Sequence, residues 1–216
     1  RKQRSDKPFA LMAFDTAAVA RHCQLDPAAE ALLTAPQRPI LLLNRLPGAS
    51  VAPQVAPGQV TLGVMLAYTP LHLLLLEPEP DYPDLWVMTS GNLSEEPIAY
   101  VDGEAQERLS PLADAFLLHD RPIHMRVDDS VFALADGQPY PIRRARGYAP
   151  DPIRLSGPAL PPIFAAGAEL KNTFCLTQDR YAFLSHHIGD LENYETLRSY
   201  EEAVAHYERL FRVQPQ

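Results

Sequence analysis

The chain has 216 residues, of which 46% are apolar, so it can bury a substantial core in one large domain or in one domain with part of another. Its net charge of -8 argues against a dedicated duplex-binding surface, because such proteins present a broad basic face. Two cysteines without CxxC spacing exclude a zinc site and a disulfide framework. No segment has the apolar length of a membrane span or the apolar core of a signal peptide, so the sequence predicts a cytoplasmic protein.

The chain begins with a basic segment and without an initiator methionine, so we expect a piece of a longer protein that lacks the strand before Lys2. Lys2 and Arg4 lie two residues apart and therefore share one face of an extended strand. Such a pair can hold a polyphosphate, with arginine as a planar fork and lysine as a point charge. A solvated terminus is the alternative, since charge usually gathers at chain ends.

The first 80 residues predict helices that alternate with strands. The predicted elements are helices capped by Asp15 and Asp26, a strand buried on both faces at 39–44, a strand at 61–68, and a short helix after Thr69. His72 lies within that apolar helix, where a core histidine is more common than a ligand. The alternation predicts a twisted, partly parallel sheet with helical cover.

A polar loop at Thr89–Ser94 directly follows the apolar run at 85–88. Open α/β sheets bind ligands where their strands end, and the hydroxyl and amide groups around Gly91 suit a nucleotide or a phosphate. The alternative is an ordinary strand-to-helix turn capped by Ser94.

The second half of the chain predicts a hairpin and then a new module. The predicted elements are a helix at 102–113, a strand at 115–118, hairpin strands at 131–135 and 140–144 around Asp136–Gly137, an extended proline-rich linker at 147–162 with a boundary near residue 155, strands at 163–167, 173–176 and 181–184, and a helix at 192–212. Three strands and one helix bury too little to be stable alone, so we expect this module to be truncated.

The segment 119–130 holds two histidines, three aspartates, two arginines and a serine. A nucleotide or phosphate ligand would account for this density. A metal site from His119, His124 and Asp128 is a weaker alternative, because Arg121 and Arg126 would repel the cation. A salt-bridged loop that orders the hairpin is an equal alternative to the ligand.

Several of these strings resemble the YrdC-like family, the fold of threonylcarbamoyl-AMP synthases. They are Lys2-x-Arg4 with Lys7-Pro8, the Thr89-Ser90-x-Asn92-x-Ser94 loop, and Ser130 before an arginine-bearing strand. Longer strings at 7–12, 90–98, 119–124 and 126–131 are similar to the YrdC-like domain of HypF-type carbamoyltransferases of [NiFe]-hydrogenase maturation. Strings at 167–173 and 184–192 resemble the opening of the TsaD-like domain of the same enzymes.

The resemblance implies an α/β fold, with a twisted mixed sheet of YrdC-like type followed by a truncated α/β module of TsaD-like, actin/Hsp70-like ATPase type. It divides the chain into a carbamoyl-adenylate-forming domain at 1–150, a linker at 151–162 and an N-terminal fragment of the transferase domain at 163–216.

The resemblance also implies the chemistry. Carbamate from carbamoyl phosphate joins ATP to give carbamoyl-AMP and pyrophosphate, and the carbamoyl group then passes to the C-terminal cysteine of a HypE-type acceptor, where it becomes the cyanide ligand of the hydrogenase iron. ATP and Mg²⁺ are the implied cofactors, while zinc or iron belongs to parts of the family outside this chain. Two alternatives are a threonylcarbamoyl-AMP synthase of tRNA modification and a double-stranded RNA binding module.

The residues that match the family's motifs fall into two groups. Lys2, Arg4, Ser90 and Asn92 are the implied catalytic residues, and Lys7, Thr89, Ser94, Ser130, Arg143, Arg144, Lys171 and Asn172 are the implied nucleotide-binding residues. Arg146 leaves the choice of the later arginine open. No metal ligand is implied, and the tandem His186 and His187 are not assigned as one. Catalysis would be positioning and charge stabilisation without a covalent nucleophile.

Overall fold

The structure is a computed structural model that describes residues 7–93, 96–192 and 194–215. The described residues form two compact units. The first unit contains 7–89 and 129–147, and the second unit contains 90–128 and 148–215.

The first unit is built on a six-stranded mixed sheet with the order β4-β1-β3-β2-β5-β6. Its elements are β1 (Ala10–Ala13), α1 (Thr16–Ala20), α2 (Pro27–Thr34), β2 (Ile40–Asn44), a 3₁₀ helix (Pro53–Val55), β3 (Thr61–Leu66), α3 (Pro70–Leu76), β4 (Leu85–Met88), β5 (Val131–Ala135) and β6 (Gln138–Arg143). The pairs β1–β3 and β2–β5 are parallel and the others antiparallel, which confirms the predicted mixed sheet.

The three helices of the first unit begin where the sequence predicts, because each has a side-chain cap. Asp15 and Asp26 each accept a hydrogen bond of 2.8 Å from the backbone N–H three residues further on, and Thr69 accepts one of 3.1 Å. Pro27 and Pro70 occupy the first helical position, where a missing N–H costs nothing.

The first unit has buried residues on both faces of its central strands, with Leu11, Leu41 and Val64 on one face and the cluster of Met12, Met65 and Leu76 on the other. Leu41 and Leu43 of β2 are buried, whereas Ile40 and Leu42 on the other face are only half-buried, so the expectation of burial on both faces holds for one face only. Ile40 and Leu42 pack over Gly63 of β3, where a Cβ atom would lie 3.2 Å from Ile40 Cγ2. The leucines of α3 also differ in burial, because Leu76 is buried whereas the other four are exposed, namely Leu71, Leu73, Leu74 and Leu75.

The predicted hairpin is confirmed as β5 and β6. Asp136 and Gly137 both have positive φ, at 50° and 73°, which is the backbone of a tight hairpin turn that aspartate and glycine favour. β6 is an edge strand, so it tolerates Pro139 and Pro141, which remove two ladder donors.

The second unit holds a four-stranded antiparallel sheet with the order β7-β10-β9-β8. Its elements are α4 (Asp102–Leu109), β7 (Ile153–Arg154), β8 (Leu160–Ala165), β9 (Cys175–Asp179), β10 (Tyr181–Leu184) and α5 (Tyr194–Phe211). Phe174, Leu176, Ala203, Tyr207 and Val213 form its buried cluster. The predicted strands and helix are present, and none of the described helices is long and apolar enough to cross a membrane.

Two sequence predictions differ from the structure in the second unit. Residues 115–118 form no strand; Leu117 is 63% exposed, so the apolar run there does not mark a buried element. Part of the predicted linker is ordered, because β7 pairs with β10 and the Leu155 N–H donates to the Arg180 carbonyl at 2.8 Å. The domain boundaries drawn from the sequence stay a prediction.

Candidate functional site

Three of the predicted site residues, Lys2, Arg4 and Ser94, lie outside the described residues, and their roles stay predictions. Lys7 is exposed just before β1. The backbone that follows it is bonded to the 3₁₀ helix, because the Phe9 N–H donates to the Val55 carbonyl at 2.8 Å.

The side chains of Ser90 and Asn92 form hydrogen bonds that order the polar loop. The Ser90 hydroxyl donates to Asn92 Oδ1 at 2.7 Å, and Asn92 Nδ2 donates to the Glu96 carbonyl at 2.6 Å. The Asn92 N–H also donates to the Ser90 carbonyl at 3.0 Å. Both ends of the Asn92 amide therefore order the loop, so the two predicted catalytic side chains are directly coupled to each other.

Helix α4 supports this loop from the C-terminal side. The Glu96 carboxylate pairs with Arg108, which also pairs with Glu104 one turn earlier in the helix. The hydrogen bond that Arg108 donates to the Glu96 carboxylate is the main reason why the pKa of Arg108 is raised. The Ala99 N–H donates to the Gly91 carbonyl at 2.9 Å, so a backbone hydrogen bond also joins Gly91 to the segment before α4.

Thr89 and Ser130 lie at opposite ends of the strands in the first unit's sheet. Thr89 follows Met88, which pairs with Ala10 at the start of β1, whereas Ser130 precedes Val131, which is level with the end of β3. A ligand that contacts both residues would have to extend across the face of the sheet.

Ser130 is completely buried, and its hydroxyl joins β5 to the segment after β6. The hydroxyl accepts from the Ala145 N–H at 2.8 Å and donates to the Arg146 carbonyl at 2.9 Å. The Ser130 carbonyl in turn accepts from the Ile40 N–H at 2.8 Å. Ser130 thus holds three chain segments together, while its predicted contact with a nucleotide is not tested by these contacts.

The three arginines after the hairpin differ in their surroundings. Arg143 is half-buried on β6 opposite Val131, and Arg144 is half-buried beside it. Arg146, which the sequence left as an ambiguous third choice, makes an ion pair of 2.7 Å with Asp129. The sequence did not identify Asp129 or Tyr68, which also contacts Arg146, as parts of the site.

Lys171 and Asn172 lie in the loop between β8 and β9. The Lys171 N–H donates to Asp190 Oδ1 at 2.5 Å, which holds Lys171 at a positive φ of 50° with an exposed side chain. Asn172 is 1% exposed, and its Nδ2 donates to the Ala168 carbonyl, so this amide orders the loop from inside. Its Oδ1 is buried without a hydrogen-bond partner.

The tandem histidines follow β10. His186 is buried, and burial lowers its pKa to about 4, so the ring is neutral at pH 7. The neighbouring Ser185 hydroxyl accepts from the Phe174 N–H at 3.0 Å and donates to the His186 carbonyl at 2.8 Å. His186 is therefore part of the packed interior of the second unit.

The metal alternative for segment 119–130 finds no support in the described parts of the chain, where no group of three or more His, Cys, Asp or Glu side chains could hold a metal ion. His124 instead lies beside His206 of α5, with ring centroids 5.6 Å apart. Arg126 lies over the Tyr100 ring at 4.8 Å, a cation–π contact.

Comparison with known proteins gives two family matches in series. Residues 1–145 match the Sua5/YciO/YrdC family model, described as "Telomere recombination", and residues 158–216 match the model of the HypF Kae1-like domain.

The chain is similar to carbamoyltransferases over its whole length. It is 46% identical over 234 aligned residues to carbamoyltransferase HypF2 of Cupriavidus necator, and 43% identical over 216 residues to carbamoyltransferase HypF of Synechocystis sp.. Each alignment covers 100% of this chain and 28% of the relative, so the chain spans little more than a quarter of these proteins.

A solved structure agrees with this similarity. Full-length HypF in a phosphate- and nucleotide-bound form superposes with a TM-score of 0.93 at 48% identity, covering 99% of this chain and 33% of that one. The predicted fold class and resemblance are thereby confirmed, and a stand-alone threonylcarbamoyl-AMP synthase is not favoured. The chain belongs to the Sua5/YciO/YrdC family and continues into a HypF Kae1-like domain, as the HypF carbamoyltransferases do.

Proposed function

We propose that this chain is the middle part of a HypF-type carbamoyltransferase that makes carbamoyl-AMP and passes the carbamoyl group to an acceptor protein. The observation that carries the proposal is the 46% identity to a carbamoyltransferase across the whole chain, through both family matches in the same order. The domain boundaries at 150 and 162 are part of the same proposal. The protein would act in hydrogenase maturation in the cytoplasm.

The proposed first step is adenylation of carbamate. A carbamate oxygen attacks the α-phosphorus of ATP, and the bond from that phosphorus to the bridging oxygen breaks with its electron pair on the departing pyrophosphate. Lys2 and Arg4 would neutralise the charge that builds on the leaving group. ATP would enter as its Mg²⁺ complex, since Mg²⁺ usually reaches such sites bound through substrate phosphates.

The loop at Ser90–Asn92 would position the phosphate and the carbamoyl group. Its mutual hydrogen bonds support this role, because a loop that is already ordered by Asn92 loses little conformational freedom when a ligand binds. Lys7, Thr89, Ser130, Arg143 and Arg144 would complete the first nucleotide site, and Lys171 and Asn172 would belong to the second.

The proposed second step is transfer. The thiolate of an acceptor cysteine, on a HypE-type protein, attacks the carbamoyl carbon, and the bond to the AMP oxygen breaks so that AMP leaves. RNA binding, the remaining alternative for a YrdC-like domain, is disfavoured by the net charge of -8.

The test is pyrophosphate release by the full-length protein with ATP and carbamoyl phosphate. We expect Asn92→Ala to lower the rate about 100-fold or more, because it removes both the loop's central hydrogen bonds and a group near the reacting phosphate. Asn44→Ala is the matched control, since Asn44 is exposed on β2 and bonds only weakly to Gln24 at 3.3 Å.

A second substitution removes one of the two side-chain hydrogen bonds of the loop and keeps the other. Asn92→Asp keeps the acceptor for the Ser90 hydroxyl but cannot donate to the Glu96 carbonyl. Pyrophosphate release by folded Asn92→Ala at the rate of the unsubstituted protein would refute the role of the loop. Dependence of the release on threonine rather than on carbamoyl phosphate would refute the proposed substrate.

A further inference from the structure

The guanidinium group of Arg146 contacts four residues of the first unit. Its Nε donates to Asp129 Oδ1 at 2.7 Å, and its two terminal nitrogens donate to the carbonyls of Gln37 at 3.0 Å and Arg38 at 2.8 Å. The guanidinium carbon also lies 3.6 Å from the centroid of the Tyr68 ring. We call this set of contacts the arginine clamp.

The clamp joins four segments at one end of the strands. They are the segment before β2, the segment after β3, the start of β5 and the segment after β6. The Ser130 hydroxyl bonds to the backbone of Ala145 and Arg146, and the Ser130 carbonyl accepts from the N–H of Ile40. Ser130 and Arg146 therefore connect the same segments.

The geometry leaves Arg146 poorly suited to contact a ligand directly. Three of its five N–H groups donate to protein oxygens, and one guanidinium face covers Tyr68. The same stacking occupies one face of Tyr68, and His72 lies edge-on to that ring at 4.5 Å, so Tyr68 is not an open platform for an adenine base on that face.

Gly147 shows how closely the clamp holds the chain. Its φ is +85°, and a Cβ atom there would lie 2.7 Å from the carbonyl oxygen of Gln37, the residue that accepts from Arg146. The backbone after β6 therefore runs directly against the segment before β2. Only glycine fits both the conformation and the close approach.

From these contacts we infer that Arg146 is a positioning residue, which fixes the end of β6 and with it the placement of Arg143 and Arg144 for an anionic ligand. A lysine cannot replace it, because a single ammonium group cannot reach a carboxylate and two carbonyls in a planar fork while stacking on an aromatic ring. This inference rests on the proposed adenylation for its kinetic consequence, but not for its structural one.

The first experiment is hydrogen exchange on full-length Arg146→Lys. We expect the Ala145 and Ile40 amides, which bond to Ser130, to exchange at least about tenfold faster than in the unsubstituted protein. Val64 of central β3 should be unchanged. Arg45→Lys is the matched control, because Arg45 also donates to two carbonyls, those of Ala49 and Val51, at the other end of β2.

The second experiment is steady-state pyrophosphate release by the same variants. A positioning role predicts that Arg146→Lys lowers kcat roughly 10- to 100-fold and changes the KM for ATP by less than about twofold. Arg45→Lys should change neither. If Arg146→Lys does not fold, Asp129→Asn takes its place in both experiments, since it removes the charge from the ion pair and keeps an acceptor oxygen.

The outcomes separate the inference from the proposed function. Unchanged exchange at Ala145 and Ile40 would overturn the clamp, and a raised KM for ATP with unchanged kcat would show that Arg146 contacts the ligand instead. If the unsubstituted protein releases no pyrophosphate, the proposed function fails, and hydrogen exchange alone then decides the inference.

Discussion

Ser130→Ala tests whether the buried hydroxyl is primarily a structural bridge. The substitution leaves the Ala145 N–H and the Arg146 carbonyl without their partner in a site that is fully buried. A buried backbone group without a hydrogen bond costs about 1–3 kcal/mol, so we expect the free energy of unfolding to fall by about 2–6 kcal/mol for the two groups together.

The measurement is urea denaturation of the 216-residue chain, followed by the fluorescence of its single tryptophan. Trp86 lies on β4 of the first unit, the unit that contains Ser130. Ser50→Ala is the matched control, because Ser50 is exposed and lies in the same unit as Trp86 and Ser130, so the change there should stay within about 0.5 kcal/mol. An equally small change for Ser130→Ala would refute the bridging role.

Three further predictions follow from the packing. Gly147→Ala should destabilise the first unit by at least about 1 kcal/mol more than Gly48→Ala, because both glycines have positive φ but only Gly147 faces the Gln37 carbonyl. Urea denaturation of the two variants measures the difference. Equal losses in the free energy of unfolding would show that the steric argument is wrong. Burial raises the pKa of the Cys23 thiol to about 11, so only about one thiol in 1000 is ionised at pH 8. Iodoacetamide should therefore modify the more exposed Cys175 first. Faster labelling of Cys23 in a peptide map would contradict this. The pKa of His186 is about 4 in the folded chain and about 6.5 in the unfolded chain, so the unfolded chain binds an extra proton as pH falls through this window. The free energy of unfolding should therefore drop by up to about 1.4 kcal/mol per pH unit. The same pH slope in His186→Gln would exclude His186 as its cause.

The elements with local signals were predictable. Asp15, Asp26 and Thr69 each cap a helix at the predicted start, because a side-chain acceptor for the first free N–H groups is a property of a few adjacent residues. Asp136–Gly137 predicted its hairpin for a similar reason, since few residue pairs tolerate two consecutive positive φ values.

The failure at 115–118 has the opposite cause. Four apolar residues in a row satisfy the local pattern of a strand, but a strand exists only where another strand supplies hydrogen bonds. The pattern of one segment carries no information about its partner. The ordered residues of the predicted linker show the same limit, because β7 depends on β10, which lies almost 30 residues further along.

The sequence by itself determined the family, the mixed α/β class, the helix starts and the polar loop that contains Ser90 and Asn92, because each depends on residues that are close in the chain. Only the tertiary structure decided that Ser130 is buried as a bridge and that Arg146, rather than Arg143 or Arg144, is the clamped arginine. The Ser130 bridge rests on contacts with Ala145 and Arg146 across the hairpin, and the Arg146 assignment rests on contacts across more than 100 residues, with the carbonyls of Gln37 and Arg38. Such pairs form when the sheet brings distant strands together, and no spacing within the chain encodes them.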